Sequence, residues 1–184
     1  SFYPTKNLGC LGDGGAIVTN RTRIARRLRR FRDGGRVGQT AFGPGTNARL
    51  DEINACYLRA ALPHLSKWNA QRARLATFYD QALSDCPGVT LLRRDQDSVH
   101  HLYVIRAQRR DRLRSYLDGR AIGTGVHYPV PLHLHPAFAA ARQKKGSLPH
   151  AEKACGEILS LPLWPGLSTS DALRVAESIR SFYQ

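Results

Sequence analysis

Among the residues able to do chemistry, Lys6 comes first. It stands between Tyr3-Pro4-Thr5 and Asn7-Leu8, ahead of the glycine turn Gly12-Asp13-Gly14-Gly15. A lysine amine attacks an aldehyde only when neutral, so it needs a desolvated or cation-rich setting. The aromatic, proline and glycine neighbours suit a constrained amine; a surface lysine on a loop is the competing reading. Ser1 by itself reads as a serine at a ragged terminus. Asn47 precedes an apolar-periodic segment, where asparagine commonly caps a helix. Histidines form the second group. His127-Tyr128 and His133-Leu134-His135 lie close in sequence, and His100-His101-Leu102-Tyr103 could place a histidine in a strand with a core hydrogen bond. No cysteine or carboxylate accompanies them at ligand-like spacing, so no metal site is expected.

The elements that must carry these groups are legible from periodicity. Ala16-Ile17-Val18-Thr19 after Asp13-Gly14 reads as a hairpin strand. Ile24, Leu28 and Phe31, at offsets of four and seven among arginines, predict a helix over 21–33 that stops at Gly34-Gly35. A glycine-rich loop runs to about Gly45. Leu50, Ile53, Tyr57, Leu58 and Leu62 predict a helix, kinked at Pro63 and continued to about Cys86. After Pro87-Gly88, strands are expected at 89–92, 101–106 and 125–128, with helices near 110–119, 150–159 and 170–183. The last part is thus a small α+β domain.

Composition narrows the class. The chain has 184 residues and a formal charge of +14. A basic surface attracts polyanions, which keeps a nucleic-acid-binding module open, although a solvated arginine-rich face on a packed helix is the favoured reading of the densest run. Cys10, Cys56, Cys86 and Cys155 are scattered and read as reduced packing thiols. With no run of about 18 apolar residues and no leader-like start, a cytoplasmic protein is expected. The start at Ser1 and the lack of methionine suggest part of a longer product.

Several segments together resemble one family. The stretch SFYPTKNLGCLGDGGAIVTN is similar to the cofactor-lysine segment of the DegT/DnrJ/StrS family of nucleotide-sugar aminotransferases, which use pyridoxal 5'-phosphate. Gly45 to Glu52 resembles its GYNxRLDE segment, Gly123 to His133 its GIHYPxPLH segment, and Leu159 to Leu167 its LSLPLYPGL. The resemblance implies an α/β chain: the C-terminal part of a PLP-dependent transferase (aspartate aminotransferase-like) fold. Residues 1–48 would end the large cofactor-binding domain, 49–86 form a helical connector, and 87–184 the small α+β C-terminal domain.

It also implies roles. Lys6 would be the catalytic lysine holding pyridoxal phosphate as a Schiff base, Ser1 a phosphate ligand, and Asn47 a contact to the phosphate of a neighbouring subunit in a homodimer. His101, His127, Tyr128 and His133 would line the side that takes the nucleotide-linked keto-deoxysugar, with glutamate as amino donor. Cys10, Asp33 and Thr46 depart from the family's usual residues. The family's carboxylate for the pyridine nitrogen and its ring-stacking aromatic precede the lysine, so the isolated chain is expected to be inactive or nearly so. A non-catalytic dimerisation or interaction protein of the same family is the alternative.

Overall fold

Apolar residues at helical and strand spacing assemble one core, within residues 67–184. The computed structural model describes residues 1–95 and 97–184, and these divide into two units, Ser1–Ser66 and Lys67–Gln184.

The first unit opens with the Lys6 loop and continues extended to helix α1 (Thr22–Phe31). A two-residue-per-strand hairpin follows, β1 (Arg36–Val37) with β2 (Thr40–Ala41), paired antiparallel. Helix α2 (Glu52–Ala61) begins after Asp51. Leu62–His64 form a 3-10 turn with Pro63 at its start, and helix α3 (Leu65–Ala82) continues directly. Proline is tolerated there because the first turn of a helix has amide donors without intrahelical partners.

In the second unit, strands β3 (Val89–Leu91), β4 (Tyr103–Ala107) and β5 (Ile158–Leu161) form an antiparallel sheet in the order β3-β4-β5. Leu91 pairs with Ile105, and Ile105 with Leu159. Tyr103, Ile105 and Ala107 alternate along β4 and are buried, as a strand with one covered face requires. Helices α4 (Arg110–Asp118), α5 (Pro149–Glu157) and α6 (Thr169–Tyr183) complete the unit. Leu113 and Leu117 of α4, and Ala172, Val175, Ala176 and Ile179 of α6, supply apolar faces at three- and four-residue spacing. Leu75, Ala76, Tyr79 and Leu83 join the same cluster from α3 and the residue after it. The Ser168 hydroxyl accepts from the Asp171 amide at 3.0 Å and caps α6.

Four expectations need correction. Residues 16–19 are extended but unpaired among the described residues, with Val18 93 % exposed; β-branched residues favour extension, yet a strand needs a partner. The expected strand at 125–128 reduces to one bridge, Gly125 to Ser160. The helix expected over 150–159 ends at Glu157, because Ile158–Leu161 pair with β4. The helix expected to begin at residue 21 starts at Thr22 and ends at Phe31.

Leu113 is fully buried in the shared cluster. Replacing it by alanine is expected to lower the unfolding free energy by about 2–5 kcal/mol, read from urea denaturation followed by circular dichroism.

Candidate active site

The Lys6 loop is closed at its base by backbone hydrogen bonds. The Phe2 amide donates to the Gly14 carbonyl at 2.7 Å, and the Cys10 amide to the Phe2 carbonyl at 2.8 Å. Inside the loop the Lys6 amide donates to Tyr3 O at 2.9 Å. Cys10 is buried, and its Sγ faces the carbonyls of Phe2 and Gly12 at 3.0 and 3.1 Å. The thiol thus sits on the seam where the two ends of the loop meet. A Cβ on Gly9 would lie 2.5 Å from Pro4 O and 2.9 Å from Tyr3 O, so only glycine fits that close approach. Buried Asn54 of α2 accepts the Leu11 amide at 3.2 Å and fixes the following turn. Lys6 itself is half-buried.

Ser1 is exposed, and its Oγ accepts from the Tyr3 amide at 3.3 Å. That leaves the hydroxyl proton available for an acceptor such as a phosphate oxygen. Ser1 also lines a groove of about 1150 Å³, together with Phe2, Ile17, Leu28, Phe31 and Leu50; Lys6 does not. Asn47 is exposed on an extended segment. Its neighbours bond to the end of α1, Thr46 N to Phe31 O at 2.8 Å and Ala48 N to Arg32 O at 2.9 Å. The helix-cap reading of Asn47 fails, because the cap position of α2 falls at Asp51.

The other four candidates lie in the second unit. His127 Nδ1 is 2.9 Å from Ser160 Oγ, and its ring meets that of Tyr128 edge-on at 5.7 Å between centroids. Tyr128 is exposed. His133 Nε2 meets Glu152 Oε1 at 3.0 Å, and the Glu152 carboxylate also accepts from the amides of Gly146 and Leu148. His133 and Glu152 thereby tie the segment before α5 to the 132–134 turn. His101 is half-buried, and its carbonyl accepts from Arg72 Nη1 at 3.1 Å. The same nitrogen bonds the carbonyls of His100 and Leu163, and burial lowers the guanidinium pKa.

Sequence reasoning missed Arg72, Glu152 and Ser160. Arg72 carried a signal, since it occupies the apolar stripe of Leu75, Ala76 and Tyr79 at three-, four- and seven-residue offsets. Ser160 between Leu159 and Leu161 carried only a weak one, a single polar position in a short alternation. Among the described residues no cluster of three or more His, Cys, Asp or Glu is placed to hold a metal. No helix there is long and apolar enough to cross a membrane.

Comparison with known proteins gives the context for this geometry. A model of the DegT/DnrJ/EryC1/StrS aminotransferase family matches residues 1–180. The chain is 49 % identical over 99 % of its length to dTDP-3-amino-3,4,6-trideoxy-alpha-D-glucose transaminase of Streptomyces venezuelae, of which it covers 49 %. It superposes on all of its length with a structure of S. venezuelae DesV in complex with a ketimine intermediate (TM-score 0.94, 48 % identity), covering 50 % of that chain. NtdA of Bacillus subtilis, solved with bound cofactor PMP, matches 97 % of this chain and 43 % of its own (TM-score 0.85, 27 % identity). The chain therefore spans about half the length of the curated relatives it matches. Its mixed α/β fold is that of the sugar aminotransferase neighbours.

The Glu152 carboxyl is held below the usual carboxylate range, chiefly by the Gly146 amide and then by His133. A depressed folded pKa contributes stability above the unfolded value and loses it as pH falls through the folded one. Amide exchange at Gly146 and Leu148 is expected to quicken as pH drops below the usual carboxylate range, beyond the intrinsic trend, and Glu152→Gln should abolish that pH response.

Proposed function

Because the chain belongs to the DegT/DnrJ/EryC1/StrS aminotransferase family, we propose that it carries the lysine and part of the acceptor side of a nucleotide-sugar aminotransferase. The reaction moves an amino group from glutamate, which leaves as 2-oxoglutarate, to the keto carbon of a nucleotide-linked deoxysugar. The observation that carries this reading is the closed loop presenting Lys6, within the matched segment.

The donor set fits pyridoxal phosphate: an amine for its aldehyde at Lys6, and a hydroxyl proton for its phosphate at Ser1. When bound, that cofactor supplies an electron sink for the carbon undergoing transfer. Lys6 would hold it covalently through Nζ and, once freed by the amino donor, would carry a proton at the same atom. Asn47, exposed on its extended segment, is assigned to the phosphate of a partner subunit's cofactor in a homodimer. In the second unit, His127 and Tyr128 offer a ring nitrogen and a phenol to the sugar nucleotide. Arg72 and Glu152 hold the segments of His101 and His133 in place.

Borohydride reduction of the protein incubated with pyridoxal phosphate tests the assignment. The cofactor mass is expected on the peptide containing Lys6 and nowhere else at stoichiometric yield, and Lys6→Ala should eliminate it. Gly9→Ala keeps the amine but forces the loop open, so labelling there should fall several-fold with the folding transition of the second unit unchanged. Labelling spread evenly over surface lysines would overturn the assignment.

A further inference from the structure

Ser160 has a burial that its place in the sheet does not explain. Leu159 and Leu161 of β5 point into the core, at 0 % and 4 % exposure. Alternation sends Ser160 to the opposite face, where a serine ordinarily meets water. It is nevertheless only 5 % exposed. Its cover is the segment from Gly125 to His127. Gly125 N donates to Ser160 O at 3.1 Å and Ser160 N to Gly125 O at 2.7 Å, and the His127 ring reaches back to Ser160 Oγ. One residue of β5 therefore grips this segment through its amide, its carbonyl and its hydroxyl.

The ring is also held at its Cε1 edge. A Cβ on Gly125 would lie 2.5 Å from His127 Cε1, 3.3 Å from Nδ1 and 3.4 Å from Nε2. The imidazole occupies the space that any other residue at 125 would fill. The second side-chain torsion of histidine is broad and nearly two-fold, so packing alone leaves two ring orientations close in energy. A hydroxyl opposite Nδ1 separates them, because the flipped ring would turn a C–H toward a buried oxygen and leave it unpaired. Among the described residues His127 Nε2 has no hydrogen-bond partner.

We propose that Ser160 is a positioning residue that fixes the ring of His127 against Gly125, so that Nε2 is presented to an oxygen of the nucleotide-sugar acceptor. The proposal rests on the substrate role given to His127 above. A serine hydroxyl suits this task because it can donate to Nδ1, which places the ring proton on Nε2 as an outward donor. Phosphate and sugar oxygens are the acceptors such a donor fits.

The test uses the 184-residue protein and dTDP-glucose as probe. Ring nitrogen shifts of His127, read by NMR, should report a single tautomer with the proton on Nε2, lost in Ser160→Ala and kept in Ser160→Thr. Gly125→Ala, which displaces the ring without touching the hydroxyl, should disturb the same signals. Binding of dTDP-glucose should weaken about 3- to 10-fold in Ser160→Ala, the effect of one lost hydrogen bond. Adding Ser160→Ala to His127→Ala should weaken it no further. Unchanged ring shifts in Ser160→Ala overturn the positioning role. A wild-type chain that does not bind the probe, or a His127→Ala chain that binds it equally well, instead overturns the substrate role while the ring shifts still report on Ser160.

Discussion

The buried guanidinium of Arg72 ties the start of β4 to the segment after β5 in the second unit. Arg72 Nη1, on α3, donates to the carbonyls of His100, His101 and Leu163, which are 28, 29 and 91 residues away along the chain. Taking a cation out of water is costly, and hydrogen bonds to dipoles offset that cost only when the geometry is fixed. The arrangement is therefore stable only with the entry to β4 and the exit from β5 already in register. Tyr79, one helical stripe further on, acts in the same sense: its hydroxyl donates to Pro162 O at 3.0 Å and its ring packs on Tyr103. His100 and His101 inherit their places from that frame.

The same logic divides the arginines, whose abundance gives the chain its charge. Arg106 pairs with Glu157, and Arg110 donates to Ile158 O at 2.9 Å, so both brace β4 and α4 against the end of α5. Arg180 joins α6 to Asp85 and the Ala82 carbonyl. Arg94 lies over the Tyr103 ring beside Asp80. By contrast α1 has no buried residue and its arginines face solvent. Net charge alone thus mixes structural cations with solvated ones, which is why it points so poorly to a partner.

Helices were legible where apolar stripes ran through several turns, as in α4 and α6. Strands β3 and β4 were legible too, lying within two residues of the expected 89–92 and 101–106, but β5 was not. Ile158 to Leu161 has four residues, and nothing local distinguishes it from the tail of a helix; its partner β4 lies about fifty residues earlier in sequence. The reverse error arose at Ala16–Thr19, where β-branched residues promised a strand that finds no partner among the described residues. Lys6 and His127 stood out as candidates through the motifs around them. Of the residues that hold the histidine segments, Arg72 left a helical spacing to read, whereas Ser160 and Glu152 act through contacts to His127 and His133, 33 and 19 positions away.

The loop that carries Lys6 has one more consequence, in entropy. Ordering a backbone residue costs about 1–2 kcal/mol, and the bonds from Cys10 to Phe2 and from Phe2 to Gly14 meet that cost during folding. A molecule arriving at the lysine then meets a backbone already ordered. Affinity at such a position is set by what the newcomer touches and little by what it must freeze.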